Sequence, residues 1–176
     1  MGRGFMRSRG VATLVALGAV SVAILVSPFG GAFAGHLNAV LNADLDGRQE
    51  VATGAANGAI VGDPNGRGEV YVFGIDGDQN TLCYVLLVDK IESATAAHIH
   101  EAGAGVNGPI VVNLARPFDG DAADCLTEGE ILLNNVAAFP TGEDVSAILA
   151  NPGDYYVNVH NADYPGGAIR SQLRGH

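Results

Sequence analysis

Three histidines carry most of the chemistry this sequence offers. His98 and His100 lie two apart in the run Ala96–Glu101. That run reads as a β-strand, so both imidazoles project from one face of a sheet while Ile99 turns into a core. Farther on, Tyr155-Tyr156-Val157-Asn158-Val159-His160 alternates in the same way. Val157 and Val159 make its apolar face, and Tyr156, Asn158 and His160 share the polar one. Two such strands side by side bring three imidazoles together on one outward surface. Three neutral imidazoles with an open position suit Zn²⁺ or Cu²⁺, and copper leads the affinity order for nitrogen ligands. A His-x-His pair on a strand also serves as a plain hydrogen-bonded surface pair. The third histidine on a matching face is what points to a metal. Glu101 could orient an imidazole, but it reads more simply as a solvated charge.

Other motifs carry less. Asp63–Glu69 and Asp76–Asn80 resemble pieces of calcium loops, but neither has both the sixth-position glycine and the distant bidentate glutamate. Both read as acidic turns. The glycine-rich stretch Gly103–Gly108 runs from strand to strand with no helix behind it, which excludes a phosphate cradle. There is no Gly-x-Ser-x-Gly elbow and no Ser/His/Asp set. The two cysteines, Cys83 and Cys125, lack the short spacing of a metal knuckle and read as one disulfide formed in an oxidising compartment.

The elements that must hold the histidines are short strands between turn residues. Strands are expected at Leu37–Leu45, Gly68–Phe73, Thr81–Val88, Ala96–Glu101, Pro109–Leu114, Glu130–Leu133, Tyr155–Asn161 and Ala168–Leu173. Asp76–Asn80 is the turn of a hairpin. One helix is expected from an N-cap at Thr141, with Asp144 three residues on, through the apolar face Val145, Ile148 and Leu149, to a stop at Asn151-Pro152-Gly153. The fold class is therefore all-β: a single antiparallel sandwich with one short helix.

Residues 1–34 read as a signal peptide. Arg3, Arg7 and Arg9 form a basic start, Val11–Val26 an apolar run, and Ala32-Phe33-Ala34 a small-x-small cleavage site. An uncleaved anchor is the other reading of that run. Cleavage leaves 35–176 as the mature domain. The leader holds 3 of the 9 basic residues and no acidic ones, so the remainder carries 6 Lys+Arg against 19 Asp+Glu, a formal charge of −13. Such a surface excludes nucleic acid and anionic membrane as partners and leaves cations open. No later stretch is long and apolar enough to span a bilayer, so the expected location is periplasmic, cell-surface or extracellular.

The stretch Ala97-His98-Ile99-His100-Glu101-Ala102-Gly103 through Gly108-Pro109-Ile110-Val111-Val112 resembles the signature of the CHRD (chordin-type) family. So does Asn151-Pro152-Gly153-Asp154-Tyr155 through His160, followed by Tyr164-Pro165-Gly166-Gly167-Ala168-Ile169-Arg170. The likeness runs over nearly all of residues 37–174. Ala52-Thr53 departs from it, where the family usually has prolines. CHRD domains occur in chordin, which binds extracellular growth factors, and in many exported bacterial proteins. The resemblance thus implies a binding module for an extracellular protein or surface ligand. A fainter similarity, carried by the His-x-His strand, the strand ending in Val159-His160 and the Arg170 segment, is to copper/zinc superoxide dismutases, which are Greek-key sandwiches. It implies copper ligation by His98, His100 and His160, with Arg170 as the catalytic cation that attracts an anionic substrate. The bridging histidine, the zinc ligands and a clear fourth copper ligand of that family are missing, and only His36 or His176, near the chain ends, remains to fill one gap. The functions to separate are a binding module holding copper or zinc, a copper-dependent redox enzyme, and an adhesive or matrix protein whose histidines only make hydrogen bonds.

Overall fold

The computed structural model describes Met1 and residues 40–52 and 60–175. The expected signal peptide, His36, His176 and the start of the Leu37–Leu45 strand lie outside the described residues. The chain divides into two units, Met1–Gly31 and Ala32–His176, and every element named below belongs to the second.

Among the described residues eleven strands and one α-helix follow in order: β1 (Val40–Asp46), β2 (Arg67–Ile75), β3 (Asp78–Asp89), β4 (Ala94–Glu101), β5 (Ile110–Leu114), β6 (Asp121–Thr127), β7 (Ile131–Leu132), β8 (Val136–Ala137), α1 (Val145–Ala150), β9 (Tyr155–Asn161), β10 (Ile169–Gln172) and β11 (Arg174–Gly175). One sheet runs β5-β4-β9-β10-β1-β2-β3-β6, with β11 beside β1, and β7-β8 form a separate pair. All these pairings are antiparallel. The sheet wraps so that its halves face each other across one core. Leu41, Leu45, Val70, Val72, Leu82 and Leu86 from one half share a cluster with Ile99, Val112, Val157, Val159 and Ile169 from the other. This is the sandwich the alternation implied, with inward residues spaced two apart along the strands.

Register follows from that burial. Ile99 pairs with Val157, and both are fully buried. Each such side chain contributes about 1.5–3 kcal/mol. Slipping either strand by one residue would expose these groups and push histidines into the core.

Four expectations need correction. The helix starts at Val145 with Asp144, not Thr141, at its N-cap, and the Asp144 side chain makes no cap bond. Glu128 reaches across from another loop to accept from the Val145 N–H at 2.8 Å, which replaces the local box with a tertiary contact. The β2–β3 hairpin is tighter than Asp76–Asn80: Ile75 already pairs with Asp78, and Gly77 takes the positive φ of 82° that the turn requires. The Glu130–Leu133 strand shrinks to Ile131–Leu132, because the chain reverses through Asn134 and Asn135 at positive φ. Strand β6 is missing from the expected set. Its sequence, Asp-Ala-Ala-Asp-Cys-Leu-Thr, is mostly exposed and has little of the β-branched and aromatic content that marks a strand. The acidic turns behave as read: Asp63 Oδ1 accepts from the Asn65 and Gly66 N–H groups, and Asp78 accepts from Asn80 N–H and the Thr81 hydroxyl.

The disulfide is formed. Cys83 and Cys125 are directly opposite each other in the β3–β6 pairing. It staples an edge strand that buries only Leu126. In the chain-entropy picture, closing a 42-residue separation contributes about 4 kcal/mol. Replacing both cysteines by serine is expected to lower the unfolding free energy by up to that amount in denaturant titration. Hydrogen exchange should then show β6 losing protection before β1, β2 or β9. Uniform loss across the sheet would mean that β6 is not held by the staple.

Candidate metal centre

The β4–β9 register sets the site. His98 lies opposite Asn158, His100 opposite Tyr156 and His160 opposite Ala96. All five polar side chains therefore stand on the face turned away from the core. His98 Nδ1 comes within 3.1 Å of His160 Nε2. One ligand atom from each of His98, His100 and His160 lies within 4.8 Å of the others. With metal–nitrogen bonds of about 2.0–2.1 Å, ligand nitrogens around a tetrahedral ion sit roughly 3.3 Å apart. The closest pair is already near that spacing, and the third imidazole needs only a small approach.

Backbone carbonyls fix the tautomers. His100 Nδ1 donates to Gly108 O at 2.9 Å, and His160 Nδ1 donates to Pro165 O at 3.0 Å. Each bond leaves Nε2 bare to act as a ligand, the arrangement that metal-binding histidines use. The third, His98, donates from Nδ1 to His160 Nε2 at 3.1 Å, a proton that must leave Nδ1 before that atom can ligate. His100 Nε2 also lies 3.1 Å from Asn158 Oδ1. Two acceptors do not bond, so this contact resolves with the amide turned to donate or with a cation drawing on the lone pair.

The surface these groups occupy faces outward but is not open. The loop between β4 and β5 folds over it. Gly108 N–H donates to the Tyr156 hydroxyl, and Asn107 donates to Val51 O. At Gly108 a Cβ would run into the Glu101 carbonyl, so only glycine allows so close an approach. His100 is left 8% exposed. The glycine-rich stretch thus supplies a carbonyl to a histidine and covers it. Glu101 is exposed, and the imidazoles bond to Gly108, Pro165 and Asn158 instead.

Arg170 lies on the same face, paired with Asn158, and is 2% exposed. It donates to Asn107 Oδ1 at 2.8 Å and Val106 O at 2.6 Å, and its guanidinium lies 3.3 Å over the Tyr156 ring. Tyr156 in turn stacks on His100, with centroids 4.7 Å apart and planes 5° from parallel. Sequence reasoning puts Tyr156 and Asn158 on this face but gives them no part. The two carbonyls it cannot place, since carbonyls carry no residue-type signal.

Burial and mutual repulsion keep the imidazoles neutral. Desolvation first, then the neighbouring His160 and His100, push His98 down to about 4 from 6.5. Desolvation also lowers His100 and His160, against the pull of their carbonyl bonds. Neutral imidazoles are the form that binds metal. Nearby Glu50 shifts the other way, pushed up to about 7 by burial despite Arg170.

A CHRD domain profile matches residues 41–173. Neither a curated protein nor a solved structure matches the chain.

The shift at His98 has a direct consequence. As pH falls below 6.5 the unfolded chain takes up the proton first, so stability from this group is complete above about pH 6.5 and is lost progressively down to about pH 4. Glu50 opposes it, with stability complete below 4.5 and lost as pH rises through about 7. The metal-free Glu50→Gln variant should therefore lose stability steadily from pH 6.5 to 4 in denaturant titrations. The His98 imidazole resonance should titrate near pH 4. A midpoint near 6.5 would show that the cluster is open to water.

Proposed function

Because this chain belongs to the CHRD domain family, we propose that it is an exported binding module that holds a copper or zinc ion through His98, His100 and His160. One observation carries the reading: three neutral imidazoles meet within 4.8 Å on two paired strands, two of them oriented by backbone carbonyls. Export is supported by the formed disulfide and by the leader-like residues 1–34. Among the described residues no helix is long and apolar enough to cross a membrane. The acidic surface favours a cationic partner among extracellular proteins or surface ligands.

The metal has three protein donors here, and a fourth coordination position is left to an exchangeable ligand. That open position is what favours the rival, a copper-dependent redox enzyme acting on a small oxidant. Such an enzyme also needs a cation open to its anionic substrate. Arg170, at 2% exposed and engaged with Asn107, Val106 and Tyr156, is poorly placed to be one. A binding role fits these observations with fewer additions.

Plasma mass spectrometry on protein exported to a periplasm tests the reading. The wild type is expected to carry close to one copper or zinc per chain, to begin at Gly35, and to melt several degrees higher than after chelation. His160→Ala should retain the fold and lose the metal. Metal-free wild type that also ignores added copper and zinc would end the metal reading. Dismutase turnover abolished in His98→Ala would favour the enzyme.

A further inference from the structure

A stack of three side chains joins the histidine cluster to a buried cation. Arg170 sits over one face of the Tyr156 ring, and His100 stacks on the same ring with its plane nearly parallel. The three belong to β10, β9 and β4, adjacent strands in the sheet. Among the described residues Arg170 forms no ion pair. Its guanidinium is held by a side-chain amide oxygen and a backbone carbonyl, which orient the charge without cancelling it. Glu50 is close enough to feel that charge; burial lifts its carboxyl to about 7, so it stays neutral and leaves the charge uncancelled below that pH.

We propose that the stack makes the three-histidine site discriminate by charge, favouring Cu⁺ over Cu²⁺ and Zn²⁺. This rests on the metal reading above. A full positive charge fixed beside the site in a poorly solvated layer repels any cation on His100, and repels a divalent ion about twice as strongly as a univalent one. One-electron reduction of bound Cu²⁺ to Cu⁺, with the electron supplied by an external reductant such as ascorbate, removes one unit of that repulsion. The donor set works in the same direction. Cu²⁺ prefers a square arrangement of nitrogen and oxygen donors. The cluster provides three imidazoles and, among the described residues, no further His, Cys, Asp or Glu. Three-coordination is ordinary for Cu⁺. At an effective dielectric near 20, one charge across such a stack changes relative affinity on the order of tenfold.

Arg170 acts here through Tyr156 and His100 as a tuning residue. The test compares wild type, Arg170→Met and Arg170→Lys in anaerobic competition with chromophoric chelators, using Cu⁺, Cu²⁺ and Zn²⁺ separately. Arg170→Met is expected to tighten Cu²⁺ and Zn²⁺ relative to Cu⁺ by about tenfold, and Arg170→Lys, which keeps the charge, to restore the wild-type ratio. An unchanged ratio in folded Arg170→Met overturns the charge inference and leaves the metal reading standing. Wild type that binds none of the three ions overturns both. If Arg170→Met does not fold, the wild-type copper couple measured against redox mediators decides. A wild-type potential at or below that of aqueous copper overturns the inference, and one above it supports the stack only if it falls in a folded Arg170→Gln variant, which removes the charge and not the donor set.

Discussion

The pairing of Ile99 with Val157 governs the rest of the site. These two side chains are apolar, fully buried and flanked on both strands by groups that cannot enter the core. Burying them admits one register and rejects its neighbours, because a shift by one reverses both faces at once. The polar face has no choice of its own. His98, His100, Asn158 and His160 meet because the opposite side of the same strands packs correctly. The bulge after Ile99 in the β4–β5 pairing then turns the chain into the covering loop, bringing the Gly108 carbonyl to His100.

The polar layer built on this register is unusual in how little of its charge is cancelled. A sandwich commonly leaves its outer faces to water. Here a loop covers part of one, and against it lie a guanidinium and an imidazole with few charged partners. Their groups are satisfied chiefly by carbonyls, amides and ring faces: Val106 and Asn107 for Arg170, Gly108 for His100, Pro165 for His160. Glu50 keeps one buried oxygen with no partner. Groups held in this way tend to give up or refuse charge. The electrostatics of the layer therefore depend on the one charge that cannot be discharged, Arg170.

Much of this is legible in the residues. Alternation fixes the faces of β4 and β9 without any knowledge of the fold, so the histidine trio can be named from spacing alone. The cysteine pair can be read in the same way, from number and separation. What stays hidden depends on groups far apart in the chain. Strand β6 has little strand propensity and is held by its pairing with β3 and by the disulfide. The start of α1 is set by Glu128, 17 residues upstream of Val145, where local capping rules point to Thr141. The sequence shows Arg170 as a cation near a histidine strand, but not that residues 106 and 107, more than 60 positions earlier, close over it. Local pattern reports periodicity and turns, and tertiary contacts decide which polar groups end up sealed.

His98 and His160 are 62 residues apart in sequence, yet they touch because their strands are neighbours. Between them the chain must lay down β5, β6, the small β7–β8 pair and α1 before β9 can return to β4. The entropy of closing so long an excursion has to be met before any contact across β4 and β9 forms, which places this pairing late in the folding sequence. The nascent chain therefore passes through states in which the histidines are separate, solvated and protonatable, and the site comes into being as a product of folding. An ion that needs all three has its complete site only once the sheet closes, so whatever it adds to stability is added at that last step.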